Sequence, residues 1–484
     1  MIAEKILYHP VLREIVAQAR REGLPLYLVG GAVRARLIAP ETEIDNADLL
    51  LIGDVHLFCR NMARILKTRA ININPQFDTV LIPAGGIEFE ISGPRHPQQN
   101  NLSPETQRLL PDDPLRRDLL LRDFTINALA LPLSPRRDEV FDPTGGLEDL
   151  KSRLIRTPLP ARVTLEEDPL RIMRAARFAS QLGFSLDPDL LTAMHTIRER
   201  LCAVSVERRT AELLKILMSP RPSVGVKLLY VTGALDAAYP EIAALAALKP
   251  DRRPRHKDVF EHTLKVLDTV AQTGARLETR LAALLHDIGK PATRRFDPES
   301  GWTFHGHEVV GENMVRKLGR AWKLPSAVID NVTKLVRLHM RPINLADEDV
   351  TDSALRRLGF QAGSDMGELI TLCRADVTSS DPDRVKTYLA NFEKVVAHLR
   401  EVEEKDDIRA FQSPVRGETI MQETGLEPGP LVGRLKTALE EAILDGVIPN
   451  DYEAALEYLR RIKDQVIQET SEVKVKKTKK DLPV

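Results

Sequence analysis

The chain of 484 residues has little cysteine, no excess of either charge and no long apolar run. Its three cysteines, Cys59, Cys202 and Cys373, lie far apart, which argues against a disulfide framework and against a cysteine-ligated zinc site. Formal net charge is −1, so an RNA-binding surface would have to come from segregated charge. No stretch approaches the roughly 20 apolar residues that span a bilayer, and the first residues lack the apolar core of a signal peptide. These absences predict a cytoplasmic protein with no membrane partner.

The length exceeds what one hydrophobic core supports and predicts several domains. Short apolar runs between Gly and Pro turns fill the first 150 residues, and Leu- and Ala-rich helical segments follow. We therefore predict an α+β protein, in which a small mixed sheet with helices precedes helical domains. The predicted units are a head, 1–150; a neck and body, 151–248; a third helical domain, 255–405; a small C-terminal helical unit, 410–465; and a disordered basic tail, 466–484.

Within the predicted head, the apolar run 26–29 ends at Gly30 and Gly31, and Arg34 follows. Glycines let the backbone approach a triphosphate closely, and an arginine would pair with it. Before a second apolar run stands Asn46-Ala47-Asp48, where a two-metal site would have Asp-x-Asp, whose alternating carboxylates point the same way from a strand. On its own, a Gly-Gly turn after a strand is more often only a tight turn.

A helix is predicted to begin around Pro169, with the acids 166–168 at its positive end. Arg171, Arg174 and Arg177 then recur on one face. One interpretation is a solvated helix face with ion pairs. The other is that a carboxylate and an arginine within one turn present a donor and acceptor edge to a base, which selects a nucleotide without a template.

Taken in order, GGAVR, RDFTINALAL, DPTGG, EDPLRIMRAARFASQLGF, HDIGK and FHGHE resemble the family of CCA-adding tRNA nucleotidyltransferases and bacterial poly(A) polymerases. The form resembled carries an HD domain, and the resemblance extends from about residue 5 to residue 465. It implies a five-stranded head sheet, Mg²⁺ in the head, ATP and CTP as substrates and a tRNA 3′ end as primer. It also implies that 151–248 binds nucleotide and RNA and that 410–465 contacts tRNA.

The resemblance also implies roles for single residues. The matches are Gly30, Gly31 and Arg34 on the phosphate side; Arg122, Asp123 and Asn127 in the R-D block; Glu167, Asp168 and Arg171 in the element that reads the incoming base; and Arg174 and Arg177 as triphosphate or primer contacts.

Three positions depart from the family pattern. Ala35 and Asn46 each stand where the family usually has an acid, and Leu121 stands where it usually has an arginine. A shifted register would bring Asp45 rather than Asn46 near the metal, although Asp45 would face away from Asp48 on a regular strand.

The predicted catalytic Mg²⁺ ligands are Asp48, Asn46 and Glu90, the last because it matches an acid on a neighbouring strand. Glu88 alternates with Glu90 and would restore part of the missing charge. Two hypotheses follow. The chain adds CMP and AMP to tRNA 3′ ends and carries an HD phosphohydrolase, or a weakened head serves as a binding module and HD hydrolysis is the remaining chemistry.

A second constellation lies between 262 and 376. One His, an adjacent His-Asp pair and a later Asp form a mixed ligand set suited to Mn²⁺, Fe²⁺, Ni²⁺ or Zn²⁺, and such a metal would activate water for phosphoester hydrolysis. The series resembles the HD phosphohydrolase superfamily, with His305 and His307 competing for one of the extra ligand positions of binuclear variants. The other interpretation is an inherited helical domain that helps to hold tRNA. The predicted metal ligands are His262, His286, Asp287, His307, His339 and Asp376. Trp302, which lies in the same part of the sequence, is interpreted as a core or surface residue.

Overall fold

The computed structural model describes residues 9–39, 46–74, 78–84, 86–95, 102–248, 258–299, 301–345, 351–377, 382–406 and 413–480. Asp45 lies outside the described residues, so the shifted register stays untested. The chain forms two compact units, Met1–Ala247 and Leu248–Val484. In the described part of the chain, no helix combines the length and the apolar character needed to cross a membrane.

The first unit contains one large sheet. Its strands are β1 (Leu26–Val29), β2 (Asn46–Leu51), β3 (Ile71–Asn74), β4 (Thr79–Ala84), β5 (Ile87–Ser92) and β6 (Ala130–Ser134). They lie in the order β3-β4-β5-β2-β1-β6. The β2–β5 pair is parallel and the other neighbouring pairs are antiparallel. The mixed sheet confirms the α+β prediction, but it has six strands rather than five, because the buried run 130–134 extends it beyond β1.

Helices make up most of the rest of this unit. They are α1 (Pro10–Arg21), α2 (Gly31–Ile38), α3 (Val55–Ile65), α4 (Pro104–Leu109), α5 (Pro114–Leu120), α6 (Gly146–Ser152), α7 (Ala161–Glu167), α8 (Arg171–Leu182), α9 (Pro188–Ile197), α10 (Val206–Leu217), α11 (Pro222–Val231), α12 (Ala234–Ala238) and α13 (Pro240–Ala243). Three 3-10 helices, Thr125–Asn127, Arg198–Ala203 and Ala244–Ala247, and a short parallel ladder of β7 (Leu154–Ile155) with β8 (Ser185–Leu186) complete it.

The two faces of the sheet have different surroundings. On one face, Ala47 and Leu49 join a large apolar core with α1 and α3, whose buried residues recur at helical spacing. On the other face, Leu50 packs against Leu115 and Leu119 of α5. Because side chains alternate along a strand, Asp48 lies on this second face, beyond the edge of its apolar patch.

The predicted helix near Pro169 begins later than expected. Glu166 and Glu167 end α7, Asp168 is extended, and α8 begins at Arg171. The Asp168 carboxylate accepts a hydrogen bond from the backbone N–H of Leu170 at 3.2 Å. Glu166 and Glu167 therefore lie in the last turn of α7 and Asp168 in the turn between two helices, rather than in the first turn of α8.

The second unit is mainly helical. Its elements are α14 (Val259–Gln272), α15 (Leu277–Leu285), α16 (Lys290–Thr293), β9 (Arg295–Asp297), β10 (Gly301–Thr303), α17 (His307–Ala321), α18 (Ser326–Leu338), α19 (Met340–Leu345), α20 (Asp352–Ala362), a 3-10 helix (Gly363–Asp365), α21 (Met366–Asp376), α22 (Pro382–Asp406), α23 (Gly417–Thr424), α24 (Pro430–Leu444) and α25 (Tyr452–Lys480).

The last three helices share an apolar cluster that includes Ile420, Leu435 and Leu459. The helix α25 is described as far as Lys480, and the disordered basic tail, 466–484, stays a prediction.

Candidate active site and metal centre

The parallel strands β2 and β5 bring acidic side chains together in the head. Asp48 is the register partner of Glu90, and Asn46 is the partner of Glu88, so these four side chains project from one face. Burial raises the pKa of Asp48, and burial together with the charge of Asp48 raises the pKa of Glu90. A set of carboxylates whose ionisation is opposed in this way fits a hard divalent cation, which would offset the repulsion.

The turn after β1 holds the backbone against this acidic face. Gly30 has a φ of +70°, and a Cβ there would lie 3.0 Å from Arg122 Nη1 and 3.2 Å from Asp48 Oδ2. Helix α2 begins at the next residue, and the positive end of a helix with free N–H groups favours a phosphate. Ala35, which replaces a family acid, lies within this helix.

Arg122 is held by a residue that sequence reasoning missed. Its Nε and Nη2 donate to Oδ2 of the buried Asp118 at 3.2 and 3.0 Å. Leu121 is one of the three positions that differ from the family pattern, and its side chain is buried. Its carbonyl oxygen accepts hydrogen bonds from Arg95 and Arg171, each at 2.7 Å. The backbone at 121 therefore orients two guanidinium groups although the family arginine is absent.

Asp123 links α8 to the 3-10 helix Thr125–Asn127. Its Oδ2 accepts from Arg174 Nε at 2.8 Å, and its Oδ1 accepts from Asn127 Nδ2 at 2.9 Å. Asn127 in turn accepts a hydrogen bond from the Arg34 guanidinium. Burial opposes ionisation, but Arg174 and Asn127 outweigh it and hold the pKa of Asp123 well below its usual range. Asp123 therefore positions two arginines.

Three arginines surround the ring of Phe178. The guanidinium carbons of Arg34, Arg174 and Arg177 lie 4.8, 5.7 and 4.4 Å from its centroid, within cation–π range. Burial lowers the pKa of Arg34 to about 10. This arginine cluster, defined by Arg34, Arg174 and Arg177, supplies positive charge beside the acidic face and suits a triphosphate.

Glu212 neutralises part of the arginine cluster and was not predicted. It lies on α10, is 3% exposed, and places Oε2 3.1 Å from Arg177 Nη1 and Oε1 3.9 Å from Arg174 Nη1. The signal in the sequence was an acid on the otherwise apolar face of an amphipathic helix, next to Leu213 and four residues before Ile216. A buried charge at such a position requires a partner.

The three residues predicted to read the base have different surroundings. Glu167 accepts from the backbone N–H of Ser103 at 2.9 Å and from the Thr106 hydroxyl, so it ties α7 to α4. Asp168 pairs with Arg208 of α10 at 2.9 Å. Arg171 follows in the same turn, and burial lowers its pKa to about 10. Asp168 and Arg171 thus remain together, whereas Glu167 serves as a structural anchor.

The DPTGG segment supports the 3-10 helix that carries Asn127. The Asp142 carboxylate accepts from the backbone N–H groups of Gly146 and Leu147, each at 2.9 Å. A Cβ at Gly146 would lie 2.1 Å from the carbonyl oxygen of Thr125. The motif is therefore required for close packing of α6 against Thr125–Asn127.

In the second unit, the structure brings all six predicted metal ligands together in two groups. Within each group the ligand atoms lie within 4.8 Å of one another. His262 Nε2 lies 2.8 Å from Asp376 Oδ1, and His307 Nε2 lies 3.3 Å from His339 Nε2. The two groups are His262, His286 and Asp376, and Asp287, His307 and His339.

Asp287 connects the two groups. Its Oδ2 lies 3.3 Å from His286 Nε2, and its Oδ1 lies 3.5 Å from His307 Nε2. A carboxylate with one oxygen toward each group would suit a site for two metal ions. His305, the competing candidate, is exposed and belongs to neither group.

Backbone hydrogen bonds orient three of these imidazoles. The Nδ1 atoms of His286, His307 and His339 lie 2.9, 3.0 and 2.7 Å from the carbonyl oxygens three residues earlier. Nδ1 then carries the proton, which leaves Nε2 as a metal ligand. His286 Nε2 is buried and makes no hydrogen bond within the described residues. Burial lowers the pKa of His339 to about 4, whereas for His286 the charges of Asp287 and Asp376 outweigh burial and raise the pKa to about 10. These features fit a divalent transition metal.

Three family models match successive parts of the chain. The model described as "Poly A polymerase head domain" matches residues 26–156, that described as "Probable RNA and SrmB- binding site of polymerase A" matches 183–245, and the HD domain model matches 259–381.

Curated relatives and a solved structure show the same likeness. The A-adding tRNA nucleotidyltransferase of Deinococcus radiodurans is 34% identical, over 70% of this chain and 78% of that protein. The CC-adding tRNA nucleotidyltransferase of Thermus thermophilus is 36% identical, over 70% of this chain and 76% of that protein. The Bacillus stearothermophilus CCA-adding enzyme in complex with CTP has a TM-score of 0.63 at 24% identity, covering 95% of this chain and 100% of that one, which shows the fold. The chain therefore belongs to the family of CCA-adding tRNA nucleotidyltransferases and bacterial poly(A) polymerases, and it is a nucleotidyltransferase of the form that carries an HD domain.

Proposed function

We propose that the head transfers CMP or AMP from CTP or ATP to the 3′ end of tRNA without a template. The observation that carries this proposal is the pairing of Asp48 with Glu90 in register on β2 and β5, with the Gly30 turn so near that a Cβ at Gly30 would lie 3.2 Å from Asp48 Oδ2. The curated relatives include an A-adding and a CC-adding tRNA nucleotidyltransferase, and we infer the same substrate classes for this chain.

Each group has a defined task in this proposal. Asp48, Glu90 and the amide oxygen of Asn46 would hold Mg²⁺, which when bound activates the primer hydroxyl and neutralises phosphate charge. The turn at Gly30 lets the triphosphate approach the backbone, and the arginine cluster binds its oxygens. Asp168 and Arg171 offer an acceptor and donors within one turn to the edge of a cytosine or adenine.

The alternative of an inactive head is not favoured. The acidic face retains Asp48 and Glu90, and its neighbour Glu88 lies in register with the substituted Asn46. The network from Asp123 through Asn127 to Arg34 is also intact. A module that only bound tRNA would not need paired carboxylates against a phosphate-binding turn.

We further propose that the second unit is a phosphohydrolase with a divalent transition metal, Mn²⁺, Ni²⁺, Fe²⁺ or Zn²⁺, held by the two ligand groups. Asp287, as the connecting carboxylate, would orient both groups. The bound metal would lower the pKa of a water molecule so that it attacks phosphorus.

We assign the head to 1–150, the nucleotide- and RNA-binding neck and body to 151–248, the HD domain to 255–405 and a tRNA-binding unit to 410–465. We infer a cytoplasmic location from the tRNA substrate.

The decisive experiment sequences the 3′ ends that the purified protein makes. The acceptors are tRNA transcripts that lack A, CA or CCA, incubated with Mg²⁺, CTP and ATP. We expect defined extension by the protein and none by Asp48→Asn, because that variant removes a carboxylate of the acidic face. Absence of extension on all three acceptors by the unmodified protein would reject the proposal.

A further inference from the structure

A short hairpin of β9 and β10 interrupts the chain between two ligands of the HD metal centre, Asp287 and His307. It is connected to both of them. Lys290 Nζ lies 2.7 Å from Asp287 Oδ2 and 5.7 Å from the centroid of the Phe304 ring. The Phe304 carbonyl lies 3.2 Å from the backbone nitrogen of His307. The hairpin is therefore flanked on both sides by residues that contact these metal ligands.

The hairpin presents a stacked aromatic surface. The guanidinium carbon of Arg294 lies 3.7 Å from the Trp302 ring centroid, and the Phe296 centroid lies 5.2 Å from that of Trp302. Phe296 is 53% exposed, and Arg295 beside it is exposed as well. We name Arg294, Phe296 and Trp302 the hairpin stack.

Part of this arrangement has a structural explanation. Phe296 and Trp302 are cross-strand partners, and an aromatic pair of this kind stabilises a two-stranded hairpin. That explanation does not require an exposed phenylalanine ring flanked by cations. An exposed aromatic ring with an arginine stacked beside it is the combination that proteins use to bind unstacked nucleobases. A stacked guanidinium also keeps its in-plane N–H donors available for phosphate or a base edge.

We propose that the hairpin stack binds the nucleobase of the substrate hydrolysed at the HD centre. This inference rests on the proposed phosphohydrolase function and adds to it a base-binding subsite for nucleotide phosphoesters. Lys290, Arg294 and Arg295 supply positive charge for the phosphate, and Phe296 supplies the stacking face. In the hydrolysis, the oxygen of water forms a bond to phosphorus and one phosphorus–oxygen ester bond breaks. The ester oxygen that leaves takes a proton from that water and becomes a hydroxyl group.

A binding measurement tests the proposal without hydrolysis. The chain has two tryptophans, so Trp322→Phe leaves Trp302 as the sole indole fluorophore. We expect 2′-AMP to quench its fluorescence saturably and glycerol 2-phosphate, which has no base, to leave it unchanged. Phe296→Ala should weaken the 2′-AMP affinity roughly tenfold. The matched control is Tyr388→Ala, another exposed aromatic in the same unit, which should leave the affinity unchanged.

The titration is repeated in a His286→Ala background, which removes a metal ligand and prevents turnover. If quenching is retained in that background and the intact protein shows no hydrolysis, the proposed phosphohydrolase activity is rejected, while base binding by the hairpin stack is supported. Three results would each overturn the proposal that the hairpin stack binds a nucleobase. They are no quenching by 2′-AMP, equal quenching by glycerol 2-phosphate, and an unchanged affinity in Phe296→Ala.

A kinetic comparison separates base recognition from general damage. For 2′,3′-cyclic AMP, Phe296→Ala should raise KM roughly tenfold with kcat little changed, and for glycerol 1,2-cyclic phosphate it should change neither constant. Trp302→Ala should also raise the KM for 2′,3′-cyclic AMP, and Trp302→Phe should raise it less, because a ring remains. Equal KM increases for both esters would contradict the proposal.

Discussion

At the residue scale, the informative feature is charge at four positions of two parallel strands. Asn46 takes a place where the family has an acid, but its register partner is Glu88, and Asp48 lies beside Glu90. A carboxamide oxygen can bind a metal but brings no negative charge. Because Glu88 and Glu90 project from the same face, the acid lost from one strand is available from its neighbour.

The first prediction is that Glu88 compensates for the carboxylate that is missing at Asn46. Glu88→Gln should slow nucleotide addition and raise the Mg²⁺ concentration for half-maximal rate about tenfold, which corresponds to about 1.4 kcal/mol. In an Asn46→Asp background the same change should have little effect, because the acid is restored on β2. Single-turnover extension measured across Mg²⁺ concentrations tests this. Equal losses in both backgrounds would show that Glu88 does not compensate for Asn46.

Asp123 gives a pH-dependent prediction. Its pKa is depressed in the folded protein, so its ionised form stabilises the fold fully above the usual carboxyl pKa of about 3.9, and this contribution is lost as the pH falls toward the folded value. Asp123→Asn should lower the free energy of unfolding by about 2–3 kcal/mol near pH 7, less than for a fully buried pair because Arg174 is partly exposed. Urea unfolding from pH 7 to pH 3 should show this difference shrinking below about pH 4. A difference that stays constant over that range would contradict the assignment.

At the element scale, the active site depends on contacts among short elements rather than on the sheet alone. The 3-10 helix Thr125–Asn127 carries Asn127 toward α2, and α6 packs directly behind it. Helix α8 contributes Arg174 and Arg177, and α10 contributes Glu212 to hold them. The arginines are therefore fixed by elements that are distant in sequence, which would position their positive charge for the proposed triphosphate before it binds.

Gly146→Ala should disturb this packing. The added Cβ would meet the Thr125 carbonyl oxygen at 2.1 Å, and relief requires backbone movement, at a cost of about 1–3 kcal/mol. We expect a lower urea midpoint and a raised KM for the nucleotide, because Asn127 and Arg34 shift with the 3-10 helix. The control is Gly367→Ala, where no atom lies within 4 Å of the new Cβ and where alanine favours the helix. Unchanged stability and KM in Gly146→Ala would show that the contact is not required.

At the scale of the whole molecule, the chain combines two sites of different chemistry in two compact units. The head site is built from carboxylates on a sheet, with arginines opposite. The site of the second unit is built from imidazoles and carboxylates on helices. The first donor set suits Mg²⁺ and the second suits transition metals.

Metal binding should stabilise the chain through the second site. With Mn²⁺ or Ni²⁺ at about 100 times its Kd, the stabilisation is about 2.7 kcal/mol, visible as a rise in Tm. His286→Ala should abolish the rise, while His305→Ala should leave it unchanged, because His305 belongs to neither ligand group. Metal content after dialysis should follow the same pattern. Loss of binding in His305→Ala with retention in His286→Ala would refute the assigned ligands.

The sequence by itself determined the family and the fold class, and it predicted an HD ligand set whose six side chains the structure brings together. Ordered motifs record which side chains the chemistry requires, and the alternation of apolar residues records which face of a strand is buried. Only the tertiary structure decided that Glu88 lies beside Asn46, that Asp118 and Glu212 hold the arginines and that Glu167 contacts α4. It also decided that His307 rather than His305 lies with the other predicted ligands. These outcomes depend on strand register, on the turn between two helices and on helix packing, which bring together residues that no local pattern connects.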